Sequence, residues 1–180
     1  MNLRVFHLHF YCQELKLYEE FFTKELGFKI IGRFSVKGGV LPENYEWEQI
    51  QNNKIRIRLI ELQKGGVNIV IMLGKFEIPK LEHFGFILPS NVFDETLIKA
   101  RSAGLRVQER PNRTFISSNL GFRIGIHRND EKAKAQEADF NELFISKIVF
   151  TSENIEEFLS LLDKLFGLKS EKNQIQKSYF

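Results

Sequence analysis

Apolar and polar residues alternate along Phe6-His7-Leu8-His9-Phe10, the period-two pattern of a strand with one covered face. The spacing then switches to that of a helix, with Leu15, Tyr18, Phe21, Phe22 and Leu26 on one side and Gly27 as the stop. The same signals return over residues 82–105, EHFGFILPSNVFDETLIKARSAGL: a strand, a turn at Pro89 and Asn91, a helix, then Gly104. The histidine-to-glycine distance is 20 residues in the first stretch, His7 to Gly27, and 21 in the second, His83 to Gly104.

Each helix is followed by further strands and a glycine hairpin. Residues 55–73 and 110–128 superpose with a constant offset of 55, which sets Gly66 over Gly121 and Arg58 over Arg113. The chain therefore predicts two tandem strand-helix-strand-strand-strand units, at about 1–76 and 77–128. Residues 36–54 have no counterpart in the second unit and read as a polar loop. Its Tyr45 and Trp47 either close over a ligand or pack outside the sheet. Residues 129–180 form an extension: a charged stretch, NDEKAKAQEADFNE, that reads as a helical linker, then a third strand and helix at 146–168. That half unit aligns on the first copy, with Gly167 over Gly27, and its strand needs a sheet edge in this chain or a neighbour. The fold class expected is α+β, with cupped mixed sheets around a pocket and helices outside.

Alternation assigns the faces. Phe6, Leu8 and Phe10 go toward the helices, which leaves His7 and His9 on the other face. Val67, Ile69, Ile71 and Leu73 leave Asn68, Val70 and Met72; Phe84, Phe86 and Leu88 leave His83, Gly85 and Ile87; Phe122, Ile124 and Ile126 leave Arg123, Gly125 and His127. In the third strand Ile55, Ile57 and Leu59 are expected outward, with Arg56, Arg58, Ile60 and Leu62 inward. The offset adds Arg113, Phe115 and Ser117 to the inner face. All four histidines thus share one wall with several arginines, and guanidiniums bind oxyanions through paired hydrogen bonds. The candidate ligand-binding residues are His7, His9, Arg58, His83, Arg113, Phe115, Arg123 and His127.

Composition narrows the partners. In 180 residues, 26 Lys and Arg stand against 23 Asp and Glu, too even a balance to point to nucleic acid or a membrane surface. No apolar run reaches the roughly 18–20 residues that span a bilayer, and the N-terminus lacks a signal-peptide pattern, so a cytoplasmic protein is expected. The single cysteine, Cys12, forms no internal disulfide and reads as a buried structural thiol. Gly65-Gly66 marks a hairpin turn and not a phosphate loop. The 18 phenylalanines favour an aromatic core or an aromatic-lined pocket.

HLHFYCQELKLYEEFFTKELGF, HFGFILPSNVFDETLIKARSAGLRV and the closing hairpin NLGFRIGIHR together resemble the vicinal oxygen chelate superfamily, which includes glyoxalase and bleomycin-resistance proteins. The resemblance covers roughly the first 128 residues. It implies two units cupped about a pocket and, in the metalloenzymes, a divalent cation held by the first and last strands of each unit. Those first-strand ligands fall on His7 and His83, and the last-strand ligands fall on Val70 and Gly125, whose side chains donate nothing. Transition metals in such sites want at least three side-chain donors. His127 would be the third candidate, but two strand residues displace it by roughly 6.6 Å from position 125.

The expectation is therefore no cofactor: a metal-independent protein, similar in class to bleomycin-resistance proteins, that binds a small, anionic molecule. The alternative is a metal-dependent lyase, isomerase or dioxygenase using His7, His83 and His127, with the catalytic residues unassigned. The partners expected are a small molecule and, because related proteins exchange units, a second copy in a homodimer.

Overall fold

The computed structural model describes residues 5–110, 113–118, 120–128, 143, 145 and 155–167. At its centre β1 (Val5–Cys12) runs parallel to β4 (Val67–Leu73) on one side and antiparallel to β5 (Lys80–Leu88) on the other. β2 (Lys29–Ser35) and β3 (Ile57–Lys64) complete the first unit; β6 (Arg106–Arg110), β7 (Arg113–Ser117) and β8 (Arg123–Arg128) complete the second. The result is one eight-stranded mixed sheet in the order β2-β3-β4-β1-β5-β8-β7-β6. The order mirrors itself about the β1–β5 pair, as a tandem repeat demands.

Helices cover one face of this sheet. α1 (Leu15–Glu20) continues as a π-helical turn over Phe21–Glu25, a change of winding that leaves Phe21 exposed instead of on the apolar stripe. Gly27 and Gly104 end their helices at φ +69° and +70°, a left-handed conformation only glycine adopts without strain. α2 (Trp47–Asn52) lies in the stretch read as a polar loop and opens with a capping box from Glu46 to Gln49. α3 (Ser90–Ser102) backs the second unit, and α4 (Ile155–Phe166) packs beside it, burying Phe158, Leu161, Leu165 and Phe166 against Phe84, Phe86 and Ile126. The helix of the half unit thus belongs to the second unit's core. The strand expected before it and the linker at 129–142 lie outside the described residues. Among the described residues no helix is long and apolar enough to cross a membrane.

Trp47 and Tyr45 pack on the first unit's core and do not close over the opposite face. Arg33 and Glu19, both buried, form a two-pronged ion pair at 2.6 and 2.7 Å. Trp47 Nε1 donates to Glu19 Oε1 at 2.8 Å, and Arg33 donates to the Tyr45 carbonyl at 2.7 Å. These bonds satisfy the buried charges and pin the insertion to the outside of the sheet. Cys12 is buried in the same core, and burial pushes its thiol up to about 11, in keeping with a structural role.

Register shifts break strict alternation at four places, one at Ile31 of β2 and three that bear on the inner face. Opposite β5, Val5 pairs with Phe86 and His7 with Gly85, so Phe6 is an extra residue. Phe6 accordingly lines the inner face next to His7, not the helix side. On β5, His83 pairs with His9 and Leu81 with Phe10, so Glu82 is extra and its side chain reaches the same side as His83. On β3, Leu59 pairs with Phe34 and Ile57 with Ser35. The bulge at Arg58 inverts the rest of that strand: Leu59, Glu61 and Gln63 face inward while Ile60 and Leu62 are wholly buried under the helices, the reverse of the expectation. Arg56 precedes the strand, is exposed, and does not line the cavity.

Candidate functional site

The uncovered face encloses a cavity of about 780 Å³. All eight candidate residues line it: His7 and His9 from β1, Arg58 from β3, His83 from β5, Arg113 and Phe115 from β7, Arg123 and His127 from β8. Phe6, Asn68, Val70, Met72, Ile87 and Arg110 add to the walls. The histidines meet here because β1 and β5 are neighbours and His9 is the Cα partner of His83 across them.

Hydrogen bonding sets the tautomers of the two central imidazoles. Asn68 uses its amide nitrogen on Glu61 Oε1 and the Leu62 carbonyl, so its oxygen faces His7 and accepts from Nδ1 at 2.5 Å. Glu82 accepts from His83 Nδ1 through one carboxylate oxygen and from Arg123 through the other. With hydrogens on both Nδ1 atoms, His7 and His83 turn the lone pairs of their Nε2 atoms toward each other at 3.0 Å. Facing lone pairs at that distance want a cation between them, either the proton of a hydrogen bond or a metal ion. Two nitrogens bound to one ion at about 2.1 Å lie ~3.0–3.4 Å apart, which is the spacing found.

His9 supplies a third donor. One ring nitrogen each from His7, His9 and His83 lie within 4.8 Å of one another, the one group among the described residues with the composition and spacing of a metal centre. That limit exceeds the ~4.2 Å across a sphere of 2.1 Å bonds by little enough for a small ring rotation to close. His9 Nε2 is buried with no hydrogen-bond partner, a polar atom in want of one. His127 lies outside the group: its ring is 6.2 Å from that of His7 and edge-on to Phe6 at 5.0 Å.

Electrostatics prepare the donors. Burial, with the charge of His83 next, lowers His7 to about 3 despite the Asn68 hydrogen bond. Burial and His83 likewise lower His9 to about 4, against the opposing pull of Glu82. Both rings are neutral at pH 7 and carry free lone pairs. Burial would raise Glu82, but hydrogen bonds and charge from His83 and Arg123 outweigh it and hold the carboxyl at about 2, ionised throughout. Glu82 thus stands where a carboxylate would orient His83 as a metal ligand.

These observations overturn the expectation of no cofactor. It rested on the silence of Val70 and Gly125, but the third donor comes from β1 itself and the orienting carboxylate from a bulge. Gly125 is small for a reason: a Cβ there would meet His83 Cδ2 at 3.3 Å, and one on Gly85 would meet the His7 Cβ at the same distance. The last-strand position is open so that the imidazole fits. Glu82, Phe6 and Arg110 are the site residues that sequence reasoning missed, and Asn68, placed on the inner face, was given no role. For the two bulge residues a signal exists: Val5 and Leu8, Leu81 and Phe84, and at the third bulge Ile57 and Ile60, are core residues three apart, a spacing no regular strand permits.

No family model and no curated protein matches the chain. Solved structures do. A variant of homoprotocatechuate 2,3-dioxygenase from B. fuscum superposes on 91% of this chain with a TM-score of 0.59 at 16% identity. BphC, a halotolerant catechol dioxygenase, superposes on 69% with a TM-score of 0.50 at 12% identity. The chain has the vicinal oxygen chelate fold. It spans 44% and 39% of those two structures, less than half of either. The vicinal oxygen chelate arrangement accounts for the mirrored strand order and for His7 and His83 on the first strand of each unit. The all-imidazole group with His9 departs from the ligand pattern the resemblance implied.

Proposed function

We propose that the chain is a metal-dependent enzyme of the dioxygenase class, holding one divalent first-row transition metal through Nε2 of His7, Nε2 of His83 and a ring nitrogen of His9. The observation that carries this reading is the pair of Nε2 lone pairs facing each other at 3.0 Å, each fixed by a partner on its Nδ1. Imidazole donors suit zinc, iron, copper or nickel. Such an ion supplies Lewis acidity to a bound oxygen donor and, when redox-active, one-electron chemistry with dioxygen.

The chain's own residues do the rest. Three histidine donors would leave the remaining positions of such an ion to the substrate, and neutral ligands would leave its charge for the substrate's oxygens to balance. Asn68 and Glu82 hold the two central rings at their Nδ1 hydrogens, and Arg123 holds Glu82. Phe6, Val70, Met72, Ile87 and Phe115 wall the cavity with apolar surface that limits water. Glu82 is engaged through both carboxylate oxygens and held ionised, which makes it a poor base for proton abstraction. The dioxygenase names of the fold's neighbours agree with the class proposed.

Elemental analysis after dialysis against each metal tests the proposal. One equivalent of metal is expected, lost in His7→Ala and His83→Ala, and the iron(II) form should consume dioxygen with a catechol. Wild-type protein that holds no metal, or holds it undiminished in both variants, overturns it.

A further inference from the structure

Charge in the cavity is unbalanced away from the imidazoles. Four guanidiniums line it, from Arg58, Arg110, Arg113 and Arg123. Glu82 at its border is taken by Arg123 and His83, and Glu61, whose hydrogen-bond partner is the neutral Asn68 amide, leaves one carboxylate charge against the three remaining guanidiniums. Arg58, Arg110 and Arg113 have no ion-pair partner among the described residues. Arg110 and Arg113 are Cα partners at the end of the β6–β7 hairpin.

Phe115 gathers these cations. Its ring, itself buried, has the guanidinium carbons of Arg123, Arg113 and Arg110 at 4.2, 5.0 and 5.8 Å from its centre. Its edge or face meets the His83 ring at 4.9 Å, nearly perpendicular. Phe115 thus touches both the arginine cluster and the His83 imidazole. Burial, then the like charges of Arg110 and Arg123, destabilises the Arg113 cation, lowering its pKa. Arg113 and Arg123 are part-buried while Arg58 and Arg110 are exposed, and like charges collected around the part-buried pair cost free energy that a bound oxyanion returns.

We propose that this guanidinium wall is a carboxylate subsite, so that the substrate is an oxygen-donor molecule that also carries a carboxylate. Arginine forks fit a planar carboxylate through two parallel hydrogen bonds. The placing of the substrate's other end rests on the metal reading; the subsite itself does not.

Calorimetry on the zinc-loaded protein, a redox-inert form, compares catechol with 3,4-dihydroxybenzoate. The carboxylated probe should bind at least about tenfold tighter, the gain from one charge-assisted contact. In the double variant Arg110→Gln, Arg113→Gln that preference should vanish while the affinity for catechol holds, which also shows that the variant is folded. Benzoate titrated into metal-free protein should show the same arginine dependence, so failure to bind metal and failure of the subsite give different results. Equal affinities for the two probes, or a preference that survives the double variant, overturns the proposal. Inorganic phosphate displacing benzoate more strongly than acetate or benzoate itself would assign the wall to phosphoryl groups and overturn it too.

Discussion

In the proposed reading, His7 and His83 can hold a metal only because of what stands behind them. Asn68 and Glu82 each accept a hydrogen bond from an Nδ1, and without that bond the ring is free to place its proton on the nitrogen facing the ion. Replacing Asn68 with leucine, similar in shape but without an acceptor, should weaken metal binding by about 10–100-fold in competition with a chromogenic chelator. An unchanged affinity would mean that the tautomer is not controlled there. The same rings make the metal-free protein acid-sensitive. His7 and His9 sit at about 3 and 4 when folded against 6.5 ordinarily, so as pH falls below 6.5 the unfolded chain takes up protons that the folded chain refuses. Stability present above pH 6.5 is therefore lost as pH drops toward 3, and Glu82, at about 2 against 4.5, extends the loss in the same direction. Denaturant midpoints measured from pH 7 to pH 4 should fall steadily, and His9→Phe should flatten the profile. The histidines were legible in the sequence because they alternate with large apolar residues. Glu82 was not, because parity places it opposite His83 and only a bulge brings it round.

Repeat, strand order and helix stops follow from local signals, since Gly27 and Gly104 need positive φ and the two units share one spacing. Bulges are a different kind of feature: each shifts one residue and breaks the parity between the two parts of its strand, so that one part is misassigned. On β3 this put Ile60 and Leu62 on the wrong face in a reading by parity, though Ile57 and Ile60, three apart and both buried, carried the correction. The insertion was misread for another reason. α2 is only six residues long, too short for periodicity, and it is held by the Glu19–Arg33–Trp47 network that only tertiary structure assembles. α4 was legible as a helix, with Phe158, Leu161 and Leu165 on one stripe, but its docking site was not. Because Leu165 is 1% exposed among the second unit's core residues, Leu165→Ala should cost about 2–5 kcal/mol in chemical denaturation. A cost near zero would mean that α4 is an appendage and not part of that core.

At the scale of the molecule, the histidine group sits on the seam. β1 belongs to the first unit and β5 to the second, and their antiparallel pairing is the contact that makes one sheet of two repeats. An ion held by His7, His9 and His83 adds a second tie across that seam, in a place where the metal-free protein brings two lone pairs together at 3.0 Å with burial against protonation. Metal binding should therefore stabilise both units together instead of one. Since an ion that binds only the folded chain adds RT ln(1 + [M]/Kd), a concentration of 100 Kd contributes about 2.7 kcal/mol, or roughly 5–10 °C in Tm for a chain of this size. Fluorescence of Trp47, in the first unit, and loss of α4 contacts, followed by hydrogen exchange in the second, should shift by the same amount. The shift should disappear in His83→Ala. A rise confined to the first unit's probe would place the ion on β1 alone and remove His83 from its shell, and the argument from facing lone pairs would fall with it.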